Sequence, residues 1–106
     1  MFAQQVSISL KRNSLEEFAR TIENEVIPLL RKQKGFKDEI TLVAPSGTEA
    51  VAISLWDQKE NAEAYSRTTY PQVLELLAKA VQGTPEVKTH EVLNSTFRTI
   101  GARAFA

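Results

Sequence analysis

Polar and apolar residues alternate from Gln4 to Leu10, with Val6, Ile8 and Leu10 on one side and Gln5, Ser7 and Ser9 on the other. A period of two predicts a strand with one buried face. The period then changes. Leu15, Phe18, Ala19, Ile22, Val26, Leu29 and Leu30 recur at the spacing of an amphipathic helix. Ser14, followed three residues later by Glu17, reads as a capping box at its start. Pro28 lies inside the stripe and predicts a kink, because proline removes an N–H and crowds the preceding turn. Gly35 is the residue expected to stop the helix. Residues 36–43 and 49–56 read as two strands joined by the turn Ala44-Pro45-Ser46-Gly47, an antiparallel hairpin. In the second of these, Val51, Ile53 and Leu55 share one face and Ala50, Ala52, Ser54 and Trp56 the other.

A second helical region starts at Asp57, with Glu60 three residues on. Its pattern breaks at Thr68-Thr69-Tyr70, restarts at Pro71 and runs through Val73, Leu74, Leu76, Leu77, Ala80 and Val81 to Gly83. Residues 86–97 read as a fourth strand, and 98–106 as a tail or a short fifth strand. The order is βαβ twice. This predicts an α+β, ferredoxin-like domain over residues 1–106, with a core of about 4–97, a four-stranded antiparallel sheet and both helices on one face. The other sheet face has few charges at its strand centres. It is expected to pack on the same face of a second copy, giving a homodimer.

Composition narrows the function. A chain of 106 residues with 42% hydrophobic and 25% charged side chains is one ordinary globular domain. Its 13 basic and 13 acidic residues cancel, seven of each before residue 54 and six of each after it, so neither half attracts nucleic acid or an anionic membrane. The densest basic cluster, Arg31, Lys32, Lys34 and Lys37, falls at a predicted helix end, where cations complement the helix dipole. The absence of cysteine excludes thiol nucleophiles and cysteine metal sites, and agrees with a cytoplasmic protein. Met1 to Leu10 does not read as a signal peptide, and no apolar run approaches the roughly 20 residues of a membrane span.

Candidate chemistry is sparse. Trp56, Tyr65 and Tyr70 form an aromatic cluster with polar tips, suited either to a flat organic ligand or simply to core packing. Arg67 sits near the predicted helix break, where it would clamp an anionic or phenolate oxygen or serve as a helix-end cation. Arg20 and Glu75 are further charged candidates. His90, the single histidine, is the side chain best suited to proton transfer near neutral pH; the competing reading is a solvated or interface histidine. One histidine without cysteine gives no metal site, and no phosphate-binding loop or nucleophile elbow is present.

Three segments carry a resemblance: Val26-Ile27-Pro28-Leu29-Leu30, then Lys34-Gly35-Phe36, then, after the hairpin, Ser54 to Tyr65 with Trp56 at the strand end and Lys59-Glu60-Asn61-Ala62 opening the helix. Together they resemble the antibiotic biosynthesis monooxygenase family over about residues 4–97. The resemblance implies a dimeric α+β barrel and a cofactor-independent oxygenase acting on a small aromatic or quinol-type substrate between helices and sheet. Trp56, Tyr65 and Tyr70 would hold the substrate, and Tyr65, Arg67 and His90 would carry the chemistry, with no cofactor and no metal. The haem-degrading relatives are set apart. Spacing from Trp56 puts their tryptophan at Tyr65 and their histidine at Glu75, and the first strand has no asparagine. The alternative reading is a non-catalytic dimeric module that binds a small molecule or supports a partner.

Overall fold

A computed structural model describes residues 1–97 of the chain. Strand β1 (Phe2–Leu10) is followed by helix α1 (Leu15–Thr21), a π-helical turn (Ile22–Val26) and helix α2 (Ile27–Arg31). Strands β2 (Phe36–Val43) and β3 (Glu49–Trp56) form the hairpin, and helices α3 (Lys59–Thr68) and α4 (Tyr70–Leu77) lead into β4 (Val81–Glu91). All strand pairs are antiparallel, in the order β2-β3-β1-β4. This is the ferredoxin-like arrangement that two βαβ units produce. The expectation for residues 98–106 lies outside the described residues.

The main core lies between the helices and one sheet face. Phe2, Ile8, Leu10, Ala50 and Trp56 from the sheet meet Phe18, Ile22, Val26, Leu30, Tyr65, Val73 and Leu77 from the helices. Phe18, Ile22, Val26 and Leu30 are spaced by four, and on a regular α-helix such a stripe drifts by about 40° per step. The wider π-helical turn at Ile22–Val26 offsets that drift and keeps the four on one side. It immediately precedes Pro28, which sits in the first turn of α2. The irregularity expected at Pro28 is therefore a widened turn just before it.

Several boundaries differ from the sequence reading. Ser14 precedes α1, but at φ −108 and ψ 4 it lacks the extended backbone of a capping serine, and its hydroxyl bonds no helix N–H. Helix α2 ends at Arg31, short of Gly35. Gly35 instead makes the turn into β2 at φ +82. The second helical region starts at Lys59, with the extended Gln58 before it; Asp57 accepts a 2.8 Å hydrogen bond from the Asn61 amide. Its second half stops at Leu77, and β4 spans Val81–Glu91 instead of 86–97. Strand β4 pairs with β1 from Val81 opposite Leu10 to Glu91 opposite Phe2, and the Val92 N–H donates to the Met1 carbonyl just beyond. At the other end Gly83, read as the end of the second helical region, sits with Pro85 within β4, where its register with β1 shifts between Ser7 and Ser9.

Gly35 is needed for two reasons. Its φ is in the left-handed region, and an added Cβ would overlap Asp57 Oδ1 and the Asn61 side chain. Its carbonyl accepts from the Asp57 N–H at 2.9 Å, tying the end of the first helical layer to the start of α3. Gly35→Ala is expected to destabilise the protein by at least about 1–3 kcal/mol, read as a lower urea midpoint at unchanged slope.

The opposite sheet face follows from the register. Val51, Ile53 and Leu55 pair with Leu42, Ile40 and Asp38 on one side and with Ser7, Gln5 and Ala3 on the other. Ile40 and Leu42 are 45% and 50% exposed there. Among the described residues no helix is long and apolar enough to cross a membrane.

Candidate functional site

Register places a polar row on the sheet face that the helices cover. Gln4 of β1 pairs with Ser54 of β3, and Ser54 pairs with Glu39 of β2. The row lies between an aromatic row (Phe2, Trp56, Phe36) and a row containing Val6 and Ala52. Core-facing positions are ordinarily apolar, so three adjacent polar side chains there call for a reason.

Each is held differently. Gln4 is 2% exposed, and its amide oxygen accepts from the Ser66 hydroxyl of α3 at 3.0 Å. Ser54 accepts the Trp56 indole N–H at 2.9 Å. Glu39 is half-buried and accepts from the Thr41 hydroxyl at 2.5 Å. Burial lifts the Glu39 carboxyl above the ordinary carboxylate value, and the Thr41 hydrogen bond only partly opposes this.

A cavity of about 40 Å³ opens over this row, lined by Gln4, Glu39 and Ser54 below and by Tyr65, Tyr70 and the aliphatic side chains of the helices above. Tyr65 and Tyr70 lie with ring centroids 6.1 Å apart. The Tyr70 hydroxyl is buried without a hydrogen-bond partner among the described residues. Burial raises the Tyr65 phenol well above its ordinary value, helped by Tyr70 and then Glu39, and burial also raises Tyr70. Both phenols therefore stay protonated at neutral pH and act as hydrogen-bond donors. The arrangement offers one carboxylate able to take a proton and two hydroxyls able to stabilise a developing oxyanion.

The expected site residues divide. Tyr65 and Tyr70 line the cavity. Trp56 does not: it is fully buried, spends its N–H on Ser54, and packs edge-on against Phe36 at 5.6 Å and tilted against Tyr65 at 5.1 Å. It supports the floor under Tyr65. Arg67 is exposed in the last turn of α3, away from the cavity lining. His90 pairs with Ala3, which puts it on the opposite sheet face, where it is exposed. Arg20 pairs with Glu16 at 3.2 Å on the surface, and Glu75 is exposed. Among the described residues no group of three or more His, Asp or Glu side chains is placed to hold a metal ion. Glu39, Gln4 and Ser54 were not among the sequence candidates. The signal available for two of them was parity, since Gln4 is in phase with Val6 and Ser54 with Ala52.

With the fold and cavity described, the class can be stated: the chain has the α+β fold of the antibiotic biosynthesis monooxygenases. It is similar to a monooxygenase from the gene ActVA-Orf6 of Streptomyces coelicolor, solved with the ligand nanaomycin D (TM-score 0.71, 16% identity, 91% of this chain and 90% of that one). It is similar to a mutant form of SnoaB, a cofactor-independent oxygenase from Streptomyces nogalater (TM-score 0.73, 15% identity, 90% and 95% covered). A protein of unknown function from Nitrosomonas europaea, NE2512, is likewise similar (TM-score 0.75, 13% identity, 91% and 92% covered). No family model matches the chain, and no curated protein matches it in sequence.

Proposed function

We propose that the protein is a cytoplasmic, cofactor-independent oxygenase acting on a flat phenolic or quinol-type substrate held between helices and sheet. The observation that carries this reading is the unpartnered Tyr70 hydroxyl, buried in a cavity beside the half-buried Glu39. A buried donor without an acceptor is costly, and a ligand oxygen would remove that cost.

The chemistry uses this chain's groups and dioxygen. For an anthrone-type substrate, the Glu39 carboxylate takes a proton from the ring CH₂, and the enolate oxygen accepts hydrogen bonds from Tyr70 and Tyr65. The electron pair left on carbon passes to dioxygen, and a carbon–oxygen bond forms. Glu39 returns its proton to the peroxide. Loss of the second C–H proton then breaks the O–O bond, leaving a carbonyl and releasing water. One CH₂ and one O₂ become one C=O and one H₂O.

The cavity is small beside the roughly 300–1,000 Å³ of ordinary ligand sites. Helix α4 must therefore move to admit a fused-ring ligand. The helix break at Thr69 provides a hinge, held by a 3.3 Å hydrogen bond from the Thr69 hydroxyl to Gln33. The same small volume favours the second reading, a binding module without turnover. Oxygen uptake on anthrones and naphthoquinols, without added metal or flavin, separates the two. Uptake above autoxidation is the expected result; binding without uptake assigns the module.

The reading includes a homodimer through the open sheet face, where Ile40, Leu42, Val51 and Ile53 form an apolar surface. A stable dimer buries on the order of 1,600 Å². Sedimentation should give twice the chain mass, and the pair Ile40→Glu and Leu42→Glu should give half of that. A monomeric parent protein would remove this part of the reading.

A further inference from the structure

The cavity lining is one-sided in charge. It contains Glu39 and no lysine, arginine or histidine among the described residues. Basic residues lie outside it. Arg31 and Lys37 share with Glu39 a separate surface groove along the edge of β2, while Arg67 and His90 are exposed elsewhere. The Glu39 carboxylate accepts from the Thr41 hydroxyl, and the other polar side chains of the lining, Gln4, Ser54, Tyr65 and Tyr70, are neutral. An anion placed inside would thus face a carboxylate with no cation among the cavity-lining residues, Arg31 and Lys37 lying on the groove side of Glu39. It would also hold Glu39 in its protonated form and so disable the base that the proposed reaction needs.

We infer that the cavity selects ring systems bearing no carboxylate or other ionised substituent, and that Glu39 is the residue that rejects anions. The inference rests on the cavity being the substrate site. It excludes aromatic acids and acid-bearing quinols as substrates, and leaves neutral phenols, quinols and anthrones.

Two probes test it: a dihydroxyanthraquinone, which matches the product of the proposed reaction, and its carboxylic acid derivative. Binding of each is followed at neutral pH by quenching of Trp56, the single tryptophan. The neutral compound is expected to bind at least about tenfold more tightly, which is a modest share of the repulsion between two close charges in a protein interior. In Glu39→Gln the acid should gain, bringing the two within about threefold, since only the charge has been removed. Equal binding of the two by the parent protein would overturn the inference. An unchanged preference in Glu39→Gln would overturn the role given to Glu39. If neither compound binds, the cavity is not the ligand site and the functional reading itself fails.

Discussion

Glu39→Gln is expected to lower the rate of oxygen uptake by about a hundred- to ten-thousand-fold, the usual effect of removing a general base. The same change should make the protein more stable at neutral pH. Burial raises the Glu39 carboxyl above its ordinary value, so the folded state prefers the protonated form. That preference favours folding fully at pH values below the ordinary carboxylate value of 4.5, and the advantage is lost as pH rises through the raised value. At neutral pH the buried charge opposes folding, and glutamine removes it while keeping an oxygen for the Thr41 hydroxyl. The gain in urea midpoint should therefore be present at neutral pH and vanish in acid. Uptake by the parent protein should fall as pH drops through the same raised value. A Glu39→Gln variant that is less stable at neutral pH, with uptake unchanged, would make Glu39 a structural residue.

Trp56→Ala is expected to have the largest effect on folding. The indole is fully buried, contacts Phe36 and Tyr65, and donates to Ser54. Truncating a buried tryptophan costs about 3–5 kcal/mol, against a total stability of about 5–15 kcal/mol for such a domain. The melting temperature should drop by at least about 12 °C, since each kcal/mol shifts it by roughly 4–8 °C in a domain of this size. The variant also leaves the Ser54 hydroxyl without its indole donor beneath the cavity, so ligand affinity should fall along with stability. Trp56→Phe keeps most of the ring contact and should retain most of the stability. If Trp56→Ala melted like the parent protein, the placement of this side chain at the centre of the core would be wrong.

Much of the sheet and its helices was legible because those elements carry their own period, whereas β4 was read as 86–97 and its first residues as helix. Alternation at Gln5 to Leu10 and at Ala50 to Trp56 fixed both strands and their faces, and the break at Thr68-Thr69-Tyr70 marks the end of α3 and the start of α4. The aromatic cluster was also legible as a cluster, with Trp56, Tyr65 and Tyr70 forming a continuous set of ring contacts. Its division into one packing residue and two cavity residues was not, because that depends on where the Trp56 N–H finds its partner. Glu39 was hidden by β2 itself. Ile40 and Leu42 look like the core face of that strand, yet they lie on the open face. The register shift between Phe36 and Asp38 then puts Phe36 and Glu39 on the same side despite their odd spacing. His90 and Arg67 were chosen for their chemistry, and only tertiary placement shows that the sheet separates His90 from the cavity and that Arg67 points to solvent.

The space over Gln4, Ser54 and Glu39 is the proposed ligand site. A crystal structure of the protein with a dihydroxyanthraquinone bound tests it most directly. The fused rings are expected between α4 and the sheet, in an enlarged cavity, with ligand oxygens within hydrogen-bond distance of Tyr70 Oη and Tyr65 Oη. A ligand seated on the open sheet face beside Ser7, Val51 and Glu86, with α4 closed over an empty cavity, would contradict it.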